Sequence, residues 1–208
     1  HEIRNPLNAI KILSQRIKKE FQPKSDELEY HEMTKTMVSE IDRINKILED
    51  YLSYSRPIPL KNEKFDIRKM MDEIESLYGE ATKIKGIHLD INVSDKITIN
   101  GDKQYLKQAI ANLIKNAIEA STKNDKITLF AAETAKNVII NISDTGCGIS
   151  KDNLTKIYDL FYSTKDMGTG LGLAITHKII NDHLGMLEVE SELEQGTTFT
   201  ITLPKENV

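Results

Sequence analysis

Two apolar seams at helical spacing, closed off by a pair of prolines, constrain this chain more than any other feature of it. Ile3, Leu7, Ile10, Leu13/Ser14, Ile17 and Phe21 alternate three and four residues apart, which places them on one stripe of a helix. After the turn-rich Gln22-Pro23-Lys24-Ser25-Asp26 the pattern returns at Leu28, Met37, Ile41, Ile44, Leu48, Tyr51 and Leu52 and runs to Arg56. The spacing predicts an antiparallel helical hairpin. Each helix of a hairpin offers one stripe and has one neighbour to cover it, so a second copy completing a four-helix bundle is the expected way to bury both. Pro6 removes a backbone donor early in the first helix, which fits either a kink near His1 or a place in a first turn.

Pro57-Ile58-Pro59 cannot continue a helix and marks a boundary, so the expected domains are 1–57 and 60–208. The second reads as a strand over 60–65, a helix capped by Asp66 and ending near 85, strands over 87–93 and 96–100, and a helix over 102–121. Strands over 126–133 and 137–143 follow, then a glycine-bearing loop, a short helical piece, a helix over 170–184, and strands over 186–191 and 197–203. The predicted class is α+β, a helical hairpin followed by an α/β two-layer sandwich in which one mixed sheet carries helices on one face.

The 208 residues hold 28 basic and 32 acidic side chains with no long single-sign run, which argues against a nucleic-acid or membrane-surface partner. One cysteine, Cys147, excludes an intrachain disulfide, suits a reducing cytoplasm and reads as a small buried apolar residue. No stretch approaches the roughly 20 apolar residues of a membrane span. A chain opening directly on His1 is expected to continue upstream in the full protein.

His1 and Asn5 are four apart and share a helix face, with Glu2 beside the ring. His-Glu also opens a zinc-protease motif, but the fifth residue is Asn5 and not a second histidine. Taken alone, the segment fits a surface turn as well as a reactive site. In the helix over 102–121, Gln108, Asn112 and Asn116 form a polar stripe beside the apolar one of Leu106, Ala109, Leu113, Ala117 and Ala120. Asn is a mediocre helix former, so the pair is either an exposed face or a set of neutral oxygens suited to Mg²⁺. Asp144-Thr145-Gly146-Cys147-Gly148-Ile149 follows a strand, where Asp144 either starts an ordinary turn or accepts a hydrogen bond from an amino group such as that of adenine. Gly168-Thr169-Gly170-Leu171-Gly172-Leu173 opens a helix whose first amides favour phosphate, with Lys165 just before it. Neither the dinucleotide fingerprint nor the Walker pattern is met.

In this order, His1-Glu2-Ile3-Arg4-Asn5-Pro6, Asn112-Leu113-Ile114-Lys115-Asn116-Ala117, Asp144 to Ile149 and Gly168 to Leu173 resemble the H, N and two G boxes of sensor histidine kinases. Phe161-Tyr162-Ser163-Thr164-Lys165 is similar to their F box. The resemblance covers essentially the whole chain. It implies a dimerisation and phosphotransfer hairpin followed by an ATP-binding domain of the Bergerat fold, acting in two-component signal transduction with ATP and Mg²⁺. By the same resemblance His1 is the phosphoacceptor, Glu2 holds and deprotonates its ring, and Asn5 assists transfer or positions water. Asn116 holds Mg²⁺, and Asn112 and Lys115 lie near the phosphates. Asp144 binds the adenine amino group within the loop of Gly146 and Gly148, Gly148 backing the base. Lys165 and Gly168, Thr169, Gly170, Leu171 and Gly172 form a lid over the phosphates, and Thr197 binds water near adenine. The implied partners are a second copy of the chain and the receiver domain of a response regulator. The implied location is the cytoplasm, with a membrane reached only through an upstream region.

Many family members carry a basic residue and an aromatic two and three places after the N-box Ala. Here Ala117-Ile118 is followed by Glu119 and Ala120, as in nitrogen-regulation and sporulation-type kinases, so a phosphate contact at 119 does not carry over. Related ATPases that drive conformational change resemble the N-box segment but have a glutamate at the position of Asn112 to activate water, and an amide is no base. A silent, nucleotide-sensing dimer module is the remaining alternative, opposed by intact His1, Asn116 and Asp144. His31, His88, His177 and His183 share no ligand spacing and read as structural or surface residues, and Gly185 reads as a helix C-cap.

Overall fold

A computed structural model describes residues 4–20, 27–55, 59–94, 96–165 and 168–205. His1, Glu2 and the turn over 22–26 lie outside the described residues, as does the side chain of Asn5. The chain divides into two compact units, His1–Arg56 and Pro57–Val208.

The first unit is a hairpin of α1 (Arg4–Glu20) and α2 (Glu27–Ser55). Among the described residues a thin seam between the two is buried, at Ser14, Thr34 and Ile41. Of the expected stripe, Ser14 faces inward and Leu13 is 57 % exposed, which resolves the Leu13/Ser14 alternative. Thr34 is buried because its hydroxyl donates to Tyr30 O at 3.0 Å, satisfying itself on its own helix. Lys11 pairs with Asp42, and the Tyr30 hydroxyl donates to Ile17 O, tying the helices by their edges. Ile10, Ile17, Met37, Ile44, Tyr51 and Leu52 remain exposed.

The second unit contains β1 (Glu63–Asp66), α3 (Ile67–Lys85), β2 (His88–Val93), β3 (Thr98–Gly101), α4 (Lys103–Ala120), β4 (Lys126–Glu133) and β5 (Asn137–Asp144). These are followed by α5 (Lys151–Leu154), α6 (Gly172–Asp182), β6 (Met186–Glu192) and β7 (Gly196–Pro204). The seven strands do not form the expected single sheet. Five form a mixed sheet in the order β2-β4-β5-β7-β6, with β2 parallel to β4 and the rest antiparallel, while β1 and β3 pair separately. Each strand of that small ladder is four residues long and runs directly into a helix, so aspartate caps end both strands early. Asp66 accepts from Arg68 N at 2.7 Å, and Asp102 accepts from Gln104 N and Tyr105 N, satisfying amides that α3 and α4 would leave unpaired.

Alternation along β5 turns Val138, Ile140, Ile142 and finally Asp144 to the same buried side, where α4 and α6 supply Ile110, Leu113, Ile114, Ile179 and Ile180. The stripe of α4 is wider than the sequence reading, adding Ile110, Ile114 and Ile118, because α6 and α3 pack on the helix as well as the sheet. Of the four histidines, His183 is structural: its Nε2 accepts from Asp102 N at 2.9 Å, which leaves the proton on Nδ1 to donate to Ile179 O at 2.7 Å. It joins the end of α6 to the start of α4. The helix ends at Asp182, two residues earlier than expected, with Leu184 in the left-handed region at φ 58 and Gly185 N–H bonding Ile180 O at 2.9 Å. Glycine is needed at 185 for space: a Cβ there would lie 2.7 Å from Thr202 O.

Candidate functional site

Three α4 residues spaced by four, Asn112, Asn116 and Ala120, each reach a different neighbouring element, and together they draw the outline of a site. Asn112 Nδ2 donates to Gly172 O at 3.4 Å, at the start of α6. Asn116 Oδ1 accepts from Lys165 Nζ at 3.3 Å. Ala120 O accepts from Cys147 N at 3.1 Å, in the loop after β5. Residues four apart stack on one helix face, so this row runs about 12 Å along α4 between the glycine loop and the Asp144 loop.

At one end lies Asp144. Register pairs it with Thr197 across β5 and β7, and strand alternation turns both side chains inward. Asp144 is 9 % exposed, and its carboxylate accepts from Gly146 N at 2.9 Å. Burial pushes its titration above the ordinary aspartate value, while bonds from the Gly146 and Thr197 amides pull the other way without prevailing. The loop is held from three sides. Gly146 and Gly148 approach backbone so closely that a Cβ would lie 2.5 Å from Ala120 O and 2.0 Å from Glu192 O, respectively, and Gly148 also has φ 68. Thr145 Oγ1 accepts from Lys126 N at 3.0 Å and donates to Asp125. Bonds from Thr122 and Thr145 hold the Asp125 carboxyl below its usual range. Cys147, expected to be buried, is exposed, because the loop is fixed through the backbone and its side chain turns to solvent.

Ser191 was not singled out from the sequence. Its hydroxyl accepts from Ile149 N at 2.8 Å and reaches Gly196 O at 2.8 Å and Thr197 Oγ1 at 2.9 Å, linking β6, β7 and the Asp144 loop. The available signal was a polar residue continuing the inward Leu187, Val189 face of β6.

The other end is the glycine loop. Gly170, at φ 67, lets Phe161 N donate to Gly170 O at 3.0 Å; a Cβ there would lie 2.3 Å from Phe161 C. Gly168 likewise accommodates Ser163 Oγ. The first turn of α6 begins after Leu171 with no side chain capping it, unlike the aspartate-capped α3 and α4, and uncapped amides are a place for an anion. Lys165 pairs with Glu119, which also lies 3.8 Å from Lys115. Lys115 itself points largely to solvent. Among the described residues no cluster of three or more His, Cys, Asp or Glu could hold a metal. The oxygens turned to the Lys165 ammonium are the Asn116 carboxamide and the Glu119 carboxylate.

Two family models match the chain: the His Kinase A (phospho-acceptor) domain over residues 1–58, and the Histidine kinase-, DNA gyrase B-, and HSP90-like ATPase over residues 101–207. Sporulation kinase C of Bacillus subtilis (strain 168) is 34% identical over 206 residues, covering 98% of this chain and 47% of that protein. Sensor histidine kinase ZraS of Escherichia coli (strain K12) is 34% identical over 205 residues, covering 98% of this chain and 43% of that protein. The chain thus spans less than half the length of these two relatives. Among solved structures, full-length ShkA in complex with AMPPNP matches with a TM-score of 0.82 and 26% identity, covering 100% of this chain and 45% of that one. Histidine kinase ThkA in complex with response regulator protein TrrA matches with a TM-score of 0.74 and 28% identity, covering 99% of this chain and 59% of that one.

Proposed function

The chain belongs to the sensor histidine kinases, and from that membership we propose that it is an ATP-dependent protein-histidine kinase that phosphorylates its own His1 and passes the phosphoryl group to an aspartate of a response regulator. The observation that carries the nucleotide half is the α4 row, with a buried carboxylate at one end and an uncapped helix start with a lysine at the other. Asp144 accepts a hydrogen bond from the adenine amino group, supported by Gly146, Gly148 and Thr197. Asn112, Lys115, Lys165 and the lid of Gly168, Thr169, Gly170, Leu171 and Gly172 surround the phosphates. Asn116, a neutral oxygen donor already turned to a cation, fits Mg²⁺, which when bound draws charge from the phosphate oxygens.

On the phosphotransfer side a neutral ring nitrogen of His1 attacks the γ-phosphorus in line. An N–P bond forms as the bond to the ADP oxygen breaks, Glu2 takes the ring proton, and Asn5 steadies the group for transfer. Hydrolysis as the main outcome is disfavoured by Asn112, whose amide donates to Gly172 O and cannot act as a base. The receiver domain is proposed by analogy with the ThkA and TrrA complex. No helix among the described residues is long and apolar enough to cross a membrane. We assign the reaction to the cytoplasm, where ATP is supplied. With γ-labelled ATP, protein-bound label should exceed released phosphate in the first turnover; release without bound label would contradict the kinase reading.

The exposed stripe of the hairpin supports a homodimer through α1 and α2. Ile17→Glu places a charge on that stripe twice in a symmetric dimer, so sedimentation equilibrium should show dimer affinity falling at least about tenfold. An unchanged dimer would move the interface elsewhere.

A further inference from the structure

We propose that Glu119 is the latch of the lid: its carboxylate and the Asn116 carboxamide oxygen form one cation seat that holds the Lys165 ammonium, and the lysine leaves this seat when it engages a nucleotide's phosphates. The proposal rests on the nucleotide-binding reading above and adds a positioning residue to it.

Asn116 and Glu119 are three apart on α4, so their side chains stand on neighbouring turns of one face. Both turn an oxygen to the same nitrogen: Lys165 Nζ donates to Asn116 Oδ1 at 3.3 Å and to Glu119 Oε2. The other carboxylate oxygen, Oε1, lies 3.8 Å from Lys115, so one acid serves two lysines, and only Lys165 belongs to a loop. The backbone around Lys165 is itself fastened. Lys165 N donates to Ser163 Oγ at 3.1 Å, Gly168 N donates to Lys165 O at 3.1 Å, and Phe161 N donates to Gly170 O. The long flexible side chain of Lys165 is its tie to α4. A lysine suits a tie that must change partners, being a point charge on a four-carbon stem without the fixed fork of arginine.

A base at 119 would repel Lys165; the acid holds it back over the carboxamide assigned above to the metal. The pair is partly solvated, at 42% and 37% side-chain exposure, so it biases the lid without locking it. An exposed ion pair of this kind shifts an equilibrium by about two- to fivefold.

The test uses the whole 208-residue chain in two measurements. Trace acetylation with acetic anhydride, read by mass spectrometry without nucleotide, should show Lys165 reacting about two- to fivefold faster in Glu119→Gln than in the native chain, with Lys156 unchanged. ADP titration by calorimetry in EDTA should show Glu119→Gln binding about two- to fivefold tighter, and the same change made in a Lys165→Met background should give no gain. An unmoved Lys165 acetylation rate, or a gain that persists without Lys165, overturns the latch. ADP that binds the native chain but gains nothing from Glu119→Gln overturns it as well. Failure of every variant to bind ADP overturns the nucleotide reading and the latch with it.

Discussion

Asp144→Asn is expected to weaken adenine-nucleotide binding by roughly 10- to 100-fold while leaving the fold intact, because a buried charged acceptor is lost and a bond to a charged group is worth about 1.5–3 kcal/mol. The position explains the size. Asp144 continues the inward face of β5 after Val138, Ile140 and Ile142, so its carboxylate stands on the apolar side of the sheet, where amides of Gly146 and Thr197 and the charge of Lys165 steady it. The sign for stability is opposite to that for binding. Burial raises this carboxyl above its ordinary value in the folded chain, so the fold loses stability as pH climbs from that ordinary value through the raised one, and the cost is complete above it. The amide variant avoids the cost and still accepts from Gly146 N, so its melting temperature at neutral pH should equal or exceed that of the native chain. Nucleotide affinity of the native chain should also fall on acidification, beginning above the usual aspartate range. A variant that binds ADP normally would remove Asp144 from the site.

His1→Gln carries the other large effect. Glutamine keeps a polar side chain but offers no nucleophilic ring nitrogen, so labelling by γ-labelled ATP should drop to background. Nucleotide affinity should change less than about twofold, because Asp144, Asn116 and Lys165 all belong to the second unit, Pro57–Val208. Loss of labelling together with loss of ADP binding would point to unfolding, and circular dichroism of the variant distinguishes the two.

Much of this was legible in the sequence because local chemistry decided it. Asp66 and Asp102 announce helix starts through carboxylates that bond the first free amides, and both helices begin where those residues predict. The apolar Val138, Ile140 and Ile142 mark the side of β5 that meets the core, although Ile139 on the other side blurs the pattern. What stayed hidden depends on partners distant in the chain. Nothing local to residues 63–66 says that they pair with 98–101 and stand apart from the main sheet. Glu119 reads as one more exposed acid until Lys165, 46 residues on, is brought to it. Ser191 gains its meaning from Ile149, 42 residues away, and Thr197 across the β6–β7 hairpin. The left-handed residue at the end of α6 is Leu184 where a glycine was expected, because Gly185 is taken up by its close approach to Thr202 and Leu203. The role of the first six residues came from resemblance alone, since His1 and Glu2 lie outside the described residues.

The central claim is that ATP's γ-phosphoryl group comes to rest on His1, and mapping the modified residue tests it directly. After incubation with MgATP, the chain should carry one phosphoryl group that is lost in acid and kept in base, and peptide fragmentation at neutral pH should place it on His1. A phosphoryl group found on His31, on a serine or on an aspartate would contradict the account.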